Sequence, residues 1–357
     1  MQSRAFRVLA AVSLIVLGVV LIAFLRRPVP TPVTDGGVAI SGPAGAASAP
    51  RSGGVDGHGD ASARRPSALV RGPWGTRPGE FGRKRDAESA PEAPMSLVVS
   101  RSGELHVLDQ ENGRVQRFGR DGKWLGQTRI GGDTVQDLAL DREGNLLTLD
   151  RLAKGEVAVY GPGGQLRATL PLVGGPIEEG GAVTGLFSDA TGTYVEREHN
   201  ELVRIAGPDG KPDPARPTQP GRPSRDGKYY LWARLANARA GTVTLRVFDR
   251  DARLVWQRAA QLPGAVAHLL LLDSDREGHL YLGALVGRMP ESGDLEAPSV
   301  AVLRLDLARG GEAGLLALPA SEAPEEMFRE LTVSDGGEIF QLLPGADGLE
   351  IHRYTFP

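Results

Sequence analysis

The chain has no cysteine in its 357 residues, which excludes disulfides, thiol chemistry and lipid attachment through a lipobox. Aromatic residues make up only 5%, and the four tryptophans, Trp74, Trp124, Trp232 and Trp256, are too scattered for a carbohydrate-stacking platform. They are expected to pack between sheets. No Asn-x-Ser/Thr sequon occurs, so a bacterial exported protein is the simplest source. The six histidines, His58, His106, His199, His268, His279 and His352, contain no H-x-x-x-H or related pair, and zinc chemistry therefore lacks its usual signature. Gly-x-Ser-x-Gly, a phosphate loop and a Gly-x-Gly-x-x-Gly opening a helix are all missing. With 41 basic against 44 acidic residues, a net charge of −3 and a pI near 6.1, general nucleic-acid binding is disfavoured. The densest basic cluster, Arg77 with Arg83, Lys84 and Arg85, reads as a solvated loop.

What the chain does have is repetition. A polar residue three positions before a glycine, then an apolar strand, recurs at Ser100/Gly103, Asp141/Gly144, Asp189/Gly192, Ser224/Gly227, Asp275/Gly278 and Ser334/Gly337. The glycines lie 41, 48, 35, 51 and 59 residues apart, which suits a supersecondary unit with elaborated loops better than a helical repeat of fixed length. Each copy continues into a second run of strand composition: VQRF at 115, VAVY at 157, LVRI at 202, LRVF at 245, VLRL at 302 and LEIHRY at 349. Ahead of the turns lie LVV at 97, LAL at 138, GLF at 185, LLLL at 269 and ELTV at 330, the expected innermost strands. The fourth copy is weak there because Pro217, Pro220 and Pro223 crowd the position. Four short antiparallel strands repeated radially make a β-propeller, and six copies make six blades. An open β-sandwich would leave the sixfold turn signal unexplained.

The segment DQENGRVQRF at 109–118 is similar to the signature strand pair of NHL-repeat propellers. In that family an Asp, an Asn and an Arg bridge adjacent strands and turns, which the resemblance carries onto Asp109, Asn112 and Arg114 as a structural signature. WGTRPGEF at 74–81 also resembles that family's Trp-Gly…Gly-x-Phe lead-in. The likeness covers 67–357 in period and 74–125 in motif. Asp150 is followed by Lys154 and Glu156 with one extra residue, and later blades lack the Asn-x-Arg.

In chain order, residues 8–25 form an 18-residue run without charge, flanked by Arg4 and Arg7 before it and Arg26-Arg27 after it. As a helix it would reach roughly 27 Å, about one bilayer core. With no A-x-A site at the right distance, 1–27 is expected to be a retained transmembrane signal anchor. Residues 28–66, rich in Pro, Gly, Ala and Ser, are expected to be a disordered linker. The domain 67–357 follows as the propeller. Its last blade lacks one strand when counted from the C-terminus, and 68–70 is the only unassigned strand-like stretch, so the N-terminal end should close the ring. Stretches 83–94, 206–225, 287–299 and 319–326 read as insertions or surface connections, and long loops on a rigid scaffold are where partners bind.

Candidate chemistry is sparse. Propeller enzymes use residues at the ends of inner strands around the central channel, as calcium-dependent lactonases of the gluconolactonase type do with Glu, Asn and Asp. Here Asp137, His268 and Glu330 stand near the starts of inner strands. Three groups fall short of the six to eight oxygen ligands calcium prefers, so no metal or cofactor is expected. No catalytic residue is assigned. The functional expectation is a monomeric, membrane-anchored propeller facing the periplasm from the inner membrane, binding an envelope protein as a scaffold. The alternatives are a propeller hydrolase with a divalent ion in its channel, or a sensor of a small ligand. More than one function fits such a fold.

Overall fold

The computed structural model describes residues 67–357 except 88, 292 and 294. After β1 (Val70–Pro73), blade one is β2 (Ser96–Val99), β3 (Leu105–Asp109), β4 (Arg114–Phe118) and β5 (Trp124–Arg129). Blade two is β6 (Asp137–Leu140), β7 (Leu146–Asp150), β8 (Glu156–Tyr160) and β9 (Leu166–Pro171). Blade three is β10 (Val183–Asp189), β11 (Gly192–Arg197), β12 (Glu201–Ala206) and β13 (Thr218–Gln219). Blade four is β14 (Arg222–Pro223), β15 (Tyr229–Asn237), β16 (Thr242–Asp249) and β17 (Leu254–Gln261). Blade five is β18 (Ala265–Ser274), β19 (His279–Arg288), β20 (Glu296–Asp306) and β21 (Glu312–Pro319). Blade six is β22 (Leu331–Val333), β23 (Ile339–Pro344) and β24 (Gly348–Tyr354), completed by β1 on its outer edge. The fold is an all-β six-bladed propeller.

The recurring turn has a local cause. In every copy the glycine takes a positive φ, as at Gly103 (83°) and Gly337 (80°), a conformation side chains rarely adopt. The polar residue caps the same turn: Ser100 Oγ accepts the Glu104 N–H at 3.0 Å, Asp141 Oδ1 accepts Asn145 at 2.8 Å, and Ser334 Oγ accepts Glu338 at 3.0 Å. Polar-x-x-Gly is thus the chemistry that turns each inner strand into the second strand.

The first three strands of each blade carry the core. Neighbouring sheets share apolar clusters, for example Leu231, Val243, Leu245 and Val247 of blade four with Val266, Leu280 and Leu282 of blade five. Outermost strands are half in water, leaving Trp124, Leu166, Leu254 and Leu315 exposed.

Ring closure follows the strand count with a shifted register. β1 pairs antiparallel with β24 through Val70↔Ile351, Arg71↔Glu350, Gly72↔Leu349 and Pro73↔Gly348. The strand therefore runs past 68–70 into Gly72-Pro73. Pro73 is tolerated because β1 is an edge strand, and glycine is required at 72 because the Gly79 carbonyl and the Phe81 ring occupy the space a Cβ would need, the ring 2.6 Å away. Two insertions also differ from expectation. Residues 206–225 are not one loop, since they contain β13 and β14; the prolines shorten both to two residues. Residues 287–299 are not wholly an insertion: β19 and β20 extend into a longer hairpin, pairing Val286↔Ser299 and Arg288↔Glu296.

The expected membrane anchor is corrected. Among the described residues no helix is long and apolar enough to cross a membrane. The helical elements there are three-residue 3-10 turns at Gln110–Asn112 and Gly180–Ala182. Segments 1–27 and 28–66 lie outside the described residues. Apolar length alone is necessary for a span without being sufficient, so the membrane partner, the single-pass inner-membrane placement and the membrane-anchored scaffold no longer enter the functional reading.

Candidate functional site at the mouth of the axis

The inner strands run around the ring in blade order, β2 beside β6, β6 beside β10, and β22 beside both β18 and β2. Aligned on their turns, Ser96, Asp137 and Glu330 hold equivalent positions, each four residues before the capping residue. Asp137 is fully buried. Its Oδ1 accepts the Ser96 hydroxyl at 2.7 Å, and its Oδ2 accepts the Leu186 N–H at 2.9 Å and Arg329 Nη2 at 2.6 Å. The same Nη2 donates to the Leu186 carbonyl at 3.0 Å. Arg329 belongs to blade six, whereas Leu186 belongs to blade three on the opposite side of the ring, so this side chain crosses the axis.

A second arginine lies close to this network. Arg222 of β14 grips Glu196 through Nε and Nη2 at 2.7 and 3.0 Å and reaches the Leu272 carbonyl of blade five at 3.3 Å. Burial alone would raise the Glu196 carboxyl, but the Arg222 guanidinium outweighs it and holds the pKa down to about 2. Both guanidinium groups stack on Phe187, at 5.3 and 5.1 Å from its centroid. Toward the turn end, Arg225 pairs with Asp273 at 2.8 Å, and Arg276 with Asp335 at 2.8 Å.

The structure does not bring the three channel candidates together. Asp137 is engaged by Arg329. Glu330 is half-buried, its carbonyl accepting Leu342 N–H at 2.9 Å, and burial pushes its carboxyl up to about 7. His268 is exposed at a bulge of β18. Among the described residues the one trio with ligand atoms close enough for a metal is Asp275, Glu277 and His279. It belongs to the capped turn of blade five, where Asp275 already accepts the N–H groups of Glu277 and His279, the His279 ring and the Tyr281 hydroxyl.

Asp109, Asn112 and Arg114 do meet. Asp109 accepts Arg114 Nε at 2.6 Å, Asn112 Nδ2 at 3.0 Å and the Gly82 N–H at 2.7 Å. Arg114 then donates to the carbonyls of Thr76, Arg77 and Glu80, and Asn112 to that of Gly75. The cluster fastens the 74–82 lead-in onto blade one.

The chain just before the inner strands of blades one, two and six encloses a cavity of about 320 Å³. Its walls are Lys84, Glu92 and Met95 before β2, residues 133–136 before β6, Arg151 and Leu152 after β7, and residues 326–328 before β22. Backbone bonds fix the walls: Glu326 N–H to the Pro91 carbonyl at 2.8 Å, and Phe328 N–H to the Met95 carbonyl at 2.8 Å. Asp150 shapes the adjoining turn, accepting the Ala153 and Lys154 N–H groups and the Thr134 hydroxyl. Met95, Gln136 and Phe328 each immediately precede a residue of the axial network, so the cavity is the mouth of the axis. A larger cleft of about 820 Å³ lies beside the outer part of blade six, where Arg83 and Arg85 share the buried Glu325 carboxylate.

Neither Arg329 nor the mouth residues Arg151, Gln136 and Phe328 stood out in the sequence. The available signal was the alignment of inner strands, which places Arg329 beside a position equivalent to Asp137.

No protein-family profile matches the chain, and no curated protein matches it. Solved structures similar to it include hydrazine synthase of Kuenenia stuttgartiensis, at 13% identity over 72% of this chain and 80% of that one, with a TM-score of 0.48. A streptogramin B lyase is similar at 9% identity over 76% of this chain and 97% of that one, with a TM-score of 0.41. A catalytically inactive virginiamycin B lyase from Staphylococcus aureus with quinupristin is similar at 12% identity over 77% and 98%, with a TM-score of 0.40. At these identities and scores none of the three bears on what this chain binds or does.

Proposed function

We propose that this propeller is a binding protein that captures a small ligand at the mouth of its axis and releases it unchanged. The observation that carries the reading is Arg329, which crosses the axis and engages the buried Asp137, the carboxylate a channel hydrolase would use. The mouth cavity stays open beside it, at the lower end of the volume range of small-molecule sites. Its walls are connecting segments pinned to a rigid ring, the usual place for recognition. We also read the ring as a relative of NHL-repeat propellers; the Asp109, Asn112 and Arg114 cluster of blade one supports this kinship.

The test is a panel of metabolites screened by melting temperature against the full-length protein, since a ligand of the native state must raise stability. Compounds that stabilise should be recovered unchanged by mass spectrometry after long incubation. Conversion of a stabilising compound, abolished by Asp137→Asn, would overturn the binding reading in favour of channel catalysis.

A further inference from the structure

Arg151 stands apart from the other half-buried arginines near the axis. Arg222, Arg225 and Arg329 each have a carboxylate partner within 2.8 Å. Arg151 has none among the described residues. Its Nη1 donates to the carbonyls of Gly181 and Val183 at 3.1 and 2.9 Å, while its Nε is buried without a partner. The guanidinium lies over the Phe328 ring, 5.3 Å from the centroid. Burial lowers its pKa, the direction expected of a cation that has lost water and gained no counter-charge. A desolvated charge without a partner costs stability. Here the charge lines a cavity, where an incoming anion would offset that cost. Unpartnered Nε atoms also occur on Arg197 and Arg304, but neither residue lines the mouth.

The surroundings define the rest of a ligand. Gln136 uses its side-chain oxygen to accept the backbone N–H of Arg151 at 3.1 Å, which leaves its amide N–H groups as donors in the wall that Arg151 also lines. Phe328, Met327 and Val135 supply apolar wall, and Leu152, 64% exposed, stands uncovered at the rim; Lys84 and the carboxylates of Glu92, Asp133 and Glu326 also line the cavity, the last two of them exposed to water.

We propose that the mouth cavity is a site for a small organic carboxylate with an apolar body, its anionic end held by Arg151 and Gln136 and its body against Phe328 and Leu152. This rests on the reading of the mouth as a binding site. Guanidinium suits the anionic end because its fixed donors match carboxylate geometry.

The protein supplies its own probes. Of the four methionines, Met95 and Met327 line the cavity and Met289 does not. With methyl-labelled methionine, phenylacetate and hexanoate should shift the Met95 and Met327 resonances and leave Met289 in place. The matching amides, phenylacetamide and hexanamide, should bind at least about tenfold more weakly, the loss of one charge-assisted hydrogen bond. Arg151→Gln should bring the carboxylates down to the level of the amides, and Arg151→Lys should restore part of the difference. Arg309→Gln, on the outer turn of blade five, should bind as the parent does. An unchanged Met289 resonance and a melting temperature no lower than the parent's establish that each variant is folded; should Arg151→Gln fail to fold, Arg151→Lys and the amide comparison decide alone. Amides binding as tightly as carboxylates, or Arg151→Gln keeping full affinity, would overturn the carboxylate assignment and leave the mouth as a site for neutral ligands. No shift of Met95 or Met327 by any of the four compounds up to about 20 mM would overturn the mouth as a binding site as well.

Discussion

Replacing Arg329 with methionine keeps an apolar stem and removes the charge that crosses the axis. Asp137, whose side chain is 0% exposed, would retain the Ser96 hydroxyl and the Leu186 N–H but lose its cation. The Leu186 carbonyl would lose a donor, and Phe187 one of its two stacked guanidinium groups. Breaking one side of a buried pair costs about 3–5 kcal/mol. The hydrogen bonds Asp137 keeps, and the 20% exposure of the Arg329 side chain, put this case at the low end, about 3 kcal/mol. For a domain of this size each kcal/mol moves the melting temperature by about 2 °C, so a fall of about 6 °C is expected by calorimetry. The double variant Asp137→Asn with Arg329→Met removes both charges, keeps an amide oxygen to accept from the Ser96 hydroxyl or the Leu186 N–H, and should recover much of the loss, because the penalty lies in the orphaned carboxylate. The reasoning is refuted if Arg329→Met melts within about 1 °C of the parent, or if the double variant is no more stable than the single one.

Other consequences can be measured on the same purified protein. Replacing β1 with a Gly-Ser stretch of equal length removes the pairing with β24 and the buried Val70, and should cost several kcal/mol; an unchanged melting temperature would mean that the ring closes without it. Gly337→Ala places a methyl 2.6 Å from the Tyr281 hydroxyl at a φ of +80°, whereas Gly278→Ala meets open space at +98°. The first should therefore destabilise by about 2–3 kcal/mol and the second by about 1, and equal losses would contradict the packing described around Tyr281. Glu330 has a folded pKa of about 7 against an ordinary 4.5, so folding favours its protonated form. That contribution is complete below pH 4.5 and is lost as pH rises to about 7. Glu330→Gln should consequently be more stable than the parent at pH 8 by about 1–2 kcal/mol, reduced from the full linkage value because the carboxyl is half-buried, and near the parent at pH 5; a difference independent of pH would remove Glu330 from the buried interior.

The parts of the fold legible in the sequence are those whose chemistry is local. Ser100 and Gly103, or Ser334 and Gly337, carry a whole turn within a few residues, and the apolar runs on either side need only strand composition. The missing strand of blade six could be found by counting, but its register could not. Gly72-Pro73 reads as a break, and only the edge position of β1 and the Phe81 ring over Gly72 explain why the strand continues through it. The axis was illegible for a different reason. Arg329 acts on Leu186, 143 residues earlier, and that meeting exists only once the ring has closed and set blade six opposite blade three. Asp137 is legible as a carboxylate near the start of an inner strand, but its partner is not, which is why it reads as a channel candidate. Arg151 was hidden in the same way, because a cation lacking a counter-charge can be recognised only when all its neighbours are known. The charge-free run at 8–25 shows the reverse error, in which a composition that suits a membrane span was carried into a functional reading that the described residues do not support.

The central claim is that the axis is closed by Arg329 and the ligand site lies at its mouth. It is tested most directly by crystal structures of the protein soaked in Mn²⁺ and in phenylacetate. The claim predicts Arg329 in contact with Asp137 and the Leu186 carbonyl in both, no ion on the axis, and phenylacetate between Arg151 and Phe328. An ion bound to Asp137 with Arg329 turned away, or phenylacetate lodged within the axis, would contradict it.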